Sequence, residues 1–498
     1  MLVLNIFYGQ SAPGFNKRYM IDSSDAAIYR LIVENDTIVT MGSIPVDTAL
    51  WGNGIVLMKF DTNGNMLKSK IIVDNLIGQL PIELRYGNFQ PTPDGGYLMS
   101  ITPFFFEYPV ILKTDHEFNV EFFKYYDDTT GYNYQLTDFT PISDGYLLFG
   151  SLNWNPDKST GYVRKIDLEG ETIWVKYFAN TAKDNVVYDI EPLNDSIFMV
   201  ACGHGTGFGG VAYNSFRIID VEGNVLQTWT SEPNPEIGFL RDIISVDEEG
   251  YLVYGLYPVA FLPPFTYVVK STISRLDKDF NILWSKHYGS EVSLSSELMF
   301  FDFDRTVDGN YLATGKTNIE VPDAPDISTG WLMKFSPEGD SIWGRLDTAL
   351  LSPALFGNQH ALGGAGILSS GSIVAGGYVR KQNDYYAWLI KVTNDGCLDT
   401  LYCGLVSGAG EELPEEAHQV NVYPNPADDI VTVETVGEPT MPYSASVHDA
   451  WGRLAAIIPE AEEGRVSLSV QNLSNGVYFL KLKFPDERVR YEKIIIQH

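Results

Sequence analysis

The sequence predicts an all-β chain: a seven-bladed β-propeller followed by a small Ig-like β-sandwich. Three observations lead to this prediction. A hairpin pattern recurs seven times, a further apolar strand precedes each hairpin, and the pattern changes after residue 403. In a representative hairpin, residues 161–178, two apolar strands flank a polar turn at Asp167 and Gly170.

The repeat has a nearly constant period. Each unit contains two apolar strands joined by a Gly-containing turn, and then the hairpin, so four strands are expected per unit. A period of this size with four antiparallel strands is typical of a propeller blade. The turn position recurs every 52 to 59 residues, at Asp61, Asp115, Asp167, Asp220, Asp277, Ser336 and Thr393.

The two ends of the repeat region complement each other. The seventh unit lacks its fourth strand, and residues 15–19 (FNKRY) resemble the fourth strand of another unit, residues 284–288 (WSKHY). We therefore predict that residues 15–19 form the outer strand of blade seven and close the ring, which removes an open sheet edge. The predicted propeller spans residues 12–403.

The connections between the second and third strands of each unit are long and differ from unit to unit. Strand alternation places them on the face opposite the tight turns, and binding residues often lie on such loops. Aromatic rings there suit sugars or peptides, or they pack against neighbouring loops. The predicted ligand-binding residues are Trp51, Phe104, Phe106, Tyr108, Trp154, Tyr257, Phe265, Tyr267 and Tyr385.

No catalytic constellation is evident, and neither a metal site nor a cofactor is predicted. Asp302 and Asp304 share one face of a strand and are the candidate acidic groups if the protein is a polysaccharide lyase or hydrolase. Residues 61–65 begin like a calcium loop but lack the distal glutamate, which leaves calcium binding open. A structural component of a surface layer is a third alternative.

The composition excludes some partners. The chain carries 34 basic and 64 acidic residues, a formal charge of −30, which repels phosphate backbones and anionic lipids. We therefore expect no nucleic acid partner. The apolar run at residues 1–9 is too short to span a bilayer, and no other segment is long and apolar enough to suggest a transmembrane helix.

Several features favour export. Residues 1–11 begin with an apolar run and are interpreted as the remnant of a secretory signal peptide. Cys397 and Cys403 lie in a turn-rich segment where a small disulfide loop is expected in an exported protein. Cys202 lies in an apolar run and is expected to be a buried thiol.

Residues 404–418 are small and acidic and predict a flexible linker. Alternating strands follow from 419 to 498 and indicate a small antiparallel sandwich. A set of residues recurs in order along this segment: Tyr423, Pro424, Asn425, Pro426, Gly452, Gly476, Tyr478 and Lys493. Through these residues the segment 420–498 resembles the C-terminal sorting domain of the type IX secretion system of Bacteroidetes.

The resemblance implies recognition by the type IX secretion machinery, passage through the periplasm, and a secreted or outer-membrane surface location. The repeats also resemble the propeller cargo that accompanies such domains, a group mostly without assigned chemistry. The leading hypothesis is a non-catalytic binding module for a glycan or a surface protein.

Overall fold

The computed structural model describes most of the repeat region and the C-terminal region. Its regular elements are 35 β-strands, and no helix occurs among the described residues. The described ranges are 14–21, 25–47, 52–73, 88–101, 110–126, 133–155, 158–178, 184–205, 213–230, 238–247, 250–262, 266–288, 299–319, 327–348, 359–381, 384–398, 419–436, 443–449, 454–461, 465–483 and 489–498.

Two compact units divide the chain. One contains residues 15–342 and 349–391, and the other contains residues 1–14, 343–348 and 392–498. The prediction of an all-β chain built from four-stranded antiparallel sheets is confirmed.

Seven four-stranded sheets, numbered here in chain order, account for β1 to β28. Within sheets 1 to 6, strands that are consecutive in the chain are neighbours. Sheet 1 contains β2 (Ala27–Glu34), β3 (Thr37–Asp47), β4 (Gly52–Phe60) and β5 (Met66–Ile72); sheet 2 contains β6 (Phe89–Pro91), β7 (Tyr97–Ile101), β8 (Val110–Thr114) and β9 (Val120–Tyr125); sheet 3 contains β10 (Asn133–Ile142), β11 (Gly145–Asn155), β12 (Lys158–Ile166) and β13 (Thr172–Phe178); sheet 4 contains β14 (Asp184–Asn194), β15 (Ile197–Gly205), β16 (Tyr213–Asp220) and β17 (Val225–Thr230).

Sheets 5 and 6 repeat this order, and sheet 7 differs in the origin of its last strand. Sheet 5 contains β18 (Phe239–Asp247), β19 (Gly250–Leu262), β20 (Thr266–Asp277) and β21 (Ile282–Tyr288); sheet 6 contains β22 (Met299–Arg305), β23 (Tyr311–Ile319), β24 (Ile327–Phe335) and β25 (Ser341–Asp347); sheet 7 contains β26 (Gln359–Ile367), β27 (Ile373–Lys381), β28 (Asp384–Val392) and β1 (Phe15–Tyr19).

The strand β1 pairs antiparallel with β28, from Phe15 opposite Lys391 to Tyr19 opposite Ala387. The Asn16 side chain also accepts a hydrogen bond of 2.7 Å from the indole of Trp388. The first described strand of the chain is therefore the outer strand of sheet 7.

Burial changes from the middle of each sheet to its outer strand. All five residues of β7 and all five of β8 are buried, as expected for strands covered on both faces. In β17 five of six residues are exposed. The apolar middle strands therefore form the core, and the polar outer strands face solvent.

The tight turns are held by the side chain of their first residue. Asp277 accepts hydrogen bonds from the backbone N–H groups of Asp279 (2.9 Å) and Asn281 (2.8 Å), and from the Asn281 side-chain amide (2.9 Å). The same Asp–Asn pair, four residues apart, closes the turns that begin at Asp61, Asp115 and Asp220.

Each such turn is also held by the outer strand of the preceding sheet. In sheet 5 the Tyr288 hydroxyl donates to the carbonyl of Gly339, in the turn of sheet 6, at 2.6 Å. Gly339 has a φ of +77°, and a Cβ there would lie 2.6 Å from the ring of Trp284. Trp284 and Tyr288, from the WSKHY sequence of the outer strand, therefore contact the glycine turn of the neighbouring sheet.

Two turns depart from the expected glycine. Phe118 and Phe280 occupy the glycine position with φ of +68° and +65°. A left-handed conformation costs a non-glycine residue about 1–2 kcal/mol. Phe280 is buried and stacks on Phe216 at 4.8 Å, and burying a Phe side chain contributes about 1.5–3 kcal/mol. Burial therefore offsets the backbone strain.

The C-terminal region contains two further sheets, 8 and 9, around one apolar cluster that includes Val431, Val447, Leu480 and Ile494. Sheet 8 has the order β29-β30-β33, and sheet 9 has the order β32-β31-β34-β35. The strands are β29 (Gln419–Tyr423), β30 (Ile430–Val436), β31 (Tyr443–Asp449), β32 (Leu454–Ala461), β33 (Arg465–Ser469), β34 (Gly476–Lys483) and β35 (Val489–Ile496).

Candidate functional site

A cavity of about 920 Å³ is lined mainly by the first strand of each of the seven sheets. These strands are β2, β6, β10, β14, β18, β22 and β26. Elements more than 300 residues apart in sequence therefore face one common space, which we call the axial cavity.

The same local feature recurs in six of the lining strands. Each contains a β-bulge near its start, and bulges re-aim the side chains that follow them. In sheet 2, Asn88 takes the equivalent place, since its side chain accepts from the N–H of Phe89 just as Asp138 accepts from Phe139. We call the residues at this position the axial ring: Arg30, Asn88, Asp138, Asp189, Asp242, Asp302 and Gly364.

The ring side chains are engaged with the backbone that carries them. Asp138 accepts from the Phe139 N–H at 2.5 Å, and Asp189 accepts from the Ile190 N–H at 2.7 Å. Arg30 donates through one nitrogen to the carbonyl of Gly363 in β26 at 3.1 Å. The ring is therefore part of the scaffold that fixes the inner strands.

The ring environment favours protonated carboxyls. Removal from bulk water, together with the negative charge of Asp189, raises the pKa of Asp138 to about 8, against the opposing effects of the Phe139 N–H and Arg30. Removal from water also raises the pKa of Asp302, and Arg30 opposes this shift as well. Arg30 is thus the cation that partly balances two ring carboxyls.

Asp304 differs from the ring carboxyls because its side chain is exposed to the cavity. Its carboxylate accepts a hydrogen bond of 2.7 Å from the Arg305 N–H. The enclosing protein, and then the charge of Asp302, raise its pKa to about 6. A carboxyl with such a pKa can both hold and release a proton near neutral pH.

Aromatic and cationic groups also line the cavity. The Arg241 guanidinium lies 5.3 Å from the ring centroid of Tyr188. The Tyr254 hydroxyl donates to the Phe300 carbonyl at 2.8 Å, and burial raises the pKa of Tyr254. Arginine, tyrosine and carboxyl groups therefore converge on the axis.

Two of the predicted ligand-binding residues are described with their side chains, and neither lines the axial cavity. Tyr257 is half-buried with its ring 4.3 Å from His287, and Tyr385 is half-buried with its ring 5.8 Å from Tyr378. The prediction that aromatic residues share one binding face therefore stays a prediction. The side chains of Trp154 and Tyr267, and the residues Trp51, Phe104, Phe106, Tyr108 and Phe265, lie outside the part of the chain that the structure describes.

Asp302 of the ring and its cavity neighbour Asp304 were selected as candidates from the sequence, whereas the other ring members were missed. A signal was present: an Asp followed by an apolar residue stands shortly before the first tight turn of several units, as in Asp138-Phe139, Asp189-Ile190 and Asp242-Ile243. Only alignment of the repeats shows that these pairs are equivalent.

Within the described ranges, no group of three or more His, Cys, Asp or Glu residues is arranged to hold a metal ion. In the turn at Asp61, the carboxylate that would begin a calcium loop is used to hold the turn itself. Both carboxylate oxygens of Asp61 accept hydrogen bonds from its own turn, from Asn63 and Asn65. Of the expected disulfide pair, Cys397 is buried and Cys403 lies outside the described residues, so the bond stays a prediction.

The sorting-motif residues lie on the C-terminal sheets. Asn425 accepts a hydrogen bond from the Ile495 N–H at 2.8 Å, which links the segment after β29 to β35. The Tyr478 hydroxyl donates to the Ser474 carbonyl at 3.0 Å. Lys493 pairs with Phe479 across β35 and β34. Gly452 lies outside the described residues.

Comparison with known families identifies the C-terminal region. Residues 421–497 match the family described as secretion system C-terminal sorting domain, so this part of the chain is a sorting domain of the type IX system. It indicates export to a secreted or cell-surface location. Among the described residues there is no helix long and apolar enough to cross a membrane.

Comparison with curated proteins found no match. Several solved structures are similar to the chain. The β-propeller domain of the Trilobed protease from Pyrococcus furiosus has a TM-score of 0.39 and 11% identity, over 73% of this chain and 93% of that one. The polysaccharide lyase Uly1 has a TM-score of 0.41 and 8% identity, over 74% and 90%. Drosophila Plexin A, in complex with Semaphorin 1b, has a TM-score of 0.35 and 11% identity, over 78% and 89%.

Proposed function

We propose that this protein is an exported, non-catalytic binding module for a glycan or a surface protein. The observation that carries the proposal is that side chains of the axial ring are bonded to the backbone of the inner strands. Asp138 and Asp189 each accept from the next backbone N–H, and Arg30 donates to a carbonyl of β26. These side chains stabilise the inner strands. We therefore expect the ligand to bind at the long loops.

The scaffold is a seven-bladed propeller, closed by β1, that spans residues 12–403. The pairing of β1 with β28 supports this closure, as does the 2.6 Å hydrogen bond from the Tyr19 hydroxyl to the Gly64 carbonyl of sheet 1. This bond repeats the contact that Tyr288 makes with Gly339. Deleting residues 15–21 should lower the thermal midpoint of the repeat region, whereas Met20→Ala, at an exposed side chain within the same segment, should change it little. An unchanged midpoint in the deletion variant would rule out the closure.

The ligand contacts aromatic residues of the long-loop face. Flat rings bind sugars and peptide segments well, and Tyr257 and Tyr385 are the described representatives of this set. Glycan-array and pull-down assays should find a ligand for the wild type, with affinity at least tenfold lower after Tyr257→Ala or Tyr385→Ala, or after Trp51→Ala, Trp154→Ala or Phe265→Ala. The matched control is Leu283→Ala, which removes an exposed apolar side chain from the outer strand β21. Binding that survives all of these replacements would contradict the proposed face, and repeating the assay with a chelator tests the role of calcium.

The sorting domain delivers the propeller through the periplasm to the type IX machinery. Without residues 419–498, the protein should accumulate in the periplasm of a host that has this system. Finding the truncated protein in the medium or on the cell surface in wild-type amounts would contradict this route.

One observation favours an enzymatic alternative, a polysaccharide lyase or hydrolase. Asp304 is exposed to the axial cavity, its pKa is raised to about 6, and Asp302 is its neighbour on the same strand. Such a group can serve as a general acid. Turnover of a polysaccharide that is lost in both Asp304→Asn and Asp302→Asn would establish the alternative and exclude the binding module.

A further inference from the structure

The side chains of Asp189 and Asp242 face each other where sheets 4 and 5 meet at the axis. Asp189 reaches the backbone of β18 next to Asp242, where it accepts from the Ile243 N–H at 3.0 Å, and a side-chain hydrogen bond with Asp189 is among the causes that raise the pKa of Asp242. Ionised carboxylates can only accept hydrogen bonds, so this contact needs one proton between the two groups. Two negative charges at that distance would instead repel each other.

The other partners of Asp189 show which group holds the proton. One oxygen of Asp189 accepts from the Ile190 N–H at 2.7 Å, and the other accepts from the Ile243 N–H at 3.0 Å. With backbone donors on both oxygens, Asp189 is stabilised as the carboxylate. Asp242 is therefore the protonated partner, and it donates to Asp189.

We propose that a proton held by Asp242 and shared with Asp189 fastens sheet 4 to sheet 5, so that the boundary between these sheets is a pH-sensitive contact. The contact is closed while Asp242 carries the proton and loosens when the proton leaves. It is distinct from the proposed ligand face and does not depend on the identity of the ligand.

The surrounding charges act on this proton from every strand that faces it. Asp138 on β10 and Asp302 on β22 add negative charge near Asp242 and favour its protonated form. Arg241 on β18 and Tyr254 on β19 stand beside the pair, and Glu191 on β14 and Asp304 on β22 line the same cavity. Arg30 on β2 also lines the cavity and acts on Asp138 and Asp302.

The contribution of this proton to the stability of the folded chain therefore decreases as the pH rises. Burial, followed by the charge of Asp189, raises the pKa of Asp242 well above its ordinary value. The folded chain then holds a proton that the unfolded chain has already released above pH ~4. Its contribution to stability is complete below that pH and is lost as the pH rises through the folded pKa.

The test compares two isosteric variants of the full chain. In Asp242→Asn the amide can donate to Asp189, so the contact persists without a titrating proton. The thermal midpoint should stay within about 3 °C of the wild type at pH 6, and it should fall less between pH 6 and pH 9. In Asp189→Asn an amide nitrogen replaces one acceptor oxygen, so the midpoint should fall by roughly 4–6 °C at every pH.

A control and a second readout keep the test decisive. Asp138→Asn removes a nearby negative charge and should by itself weaken the pH response, but adding Asp242→Asn to it should still reduce the fall of the midpoint between pH 6 and pH 9, as it does in the wild type. At pH 7 the infrared band of a protonated carboxyl should be weaker in Asp242→Asn than in the wild type. This measurement can be made even if the Asp189→Asn variant does not fold. Equal effects of the two pair variants, an unchanged pH response in Asp242→Asn, or an unchanged infrared band would each overturn the proposal.

Discussion

The aspartates at the axis and those at the rim of the repeats show opposite behaviour. At the axis, Asp138 and Asp242 are shielded from water beside other carboxyls, and their pKa values are raised. At the rim, Asp115 and Asp277 lie in exposed turns, where side-chain and backbone hydrogen bonds from Asn119 and Asn281 lower their pKa values. Both sets recur from repeat to repeat.

The difference shows that environment, rather than residue type, decides how a repeated aspartate supports the fold. The rim carboxylates must be ionised to hold their turns, so their contribution is present above pH ~4 and is lost as the pH falls through their lowered pKa values. At the axis, Asp138 and Asp242 favour folding in their protonated form because their pKa values are raised, so their contribution is lost as the pH rises. One repeat therefore carries two opposite pH dependences.

The largest effect is expected from removing the axial cation. Arg30 opposes the raised pKa values of Asp138 and Asp302. Its guanidinium also donates to the carbonyls of Tyr29 and Gly363, and losing the hydrogen bonds of a charged group costs about 1.5–3 kcal/mol. Urea unfolding of Arg30→Met should show a loss of this order, larger at pH 8 than at pH 6 because more ring carboxyls are then ionised. Arg305→Met, at an exposed position in β22, is the matched control. Equal losses in the two variants would show that the cation has no special role at the axis.

A smaller effect with the opposite pH dependence is expected at the rim. Asp277→Ala removes the acceptor of three hydrogen bonds in its turn. Its thermal midpoint should lie about 2–4 °C below the wild type at pH 7, and the difference should shrink as the pH is lowered below 4. Asp277→Asn keeps one acceptor oxygen and should lose less. A difference that grows on acidification would contradict the proposed role of the ionised turn aspartates.

Most of the fold could be predicted from local sequence patterns. The seven turns, the four strands per unit and the position of β1 next to β28 follow from a period and from short motifs such as FNKRY. The glycine position was the local exception, because Phe118 and Phe280 gain their stability from tertiary packing. The stabilisation from this packing cannot be predicted from the residues of the turn alone.

The axial ring was much harder to predict. Its members come from seven strands, and Arg30 bonds to the carbonyl of Gly363, which is 333 residues away. An isolated Asp in an apolar strand gives no sign of the carboxyls that other strands bring to the same place. The long-loop aromatics, in contrast, were easy to select by composition, yet of these only Tyr257 and Tyr385 are described with their side chains.

The most direct test of the contrast between axis and rim is calorimetry of the full chain from pH 5 to pH 9, for the wild type and for the double variant Asp138→Asn/Asp242→Asn. The difference between the midpoints of the two proteins cancels the effect of groups that both contain. His360 is one such group, and burial lowers its pKa to about 4. The account predicts that the thermal midpoint of the wild type falls relative to the double variant as the pH rises from 5 to 9. A difference that stays constant, or that changes in favour of the wild type, would contradict it.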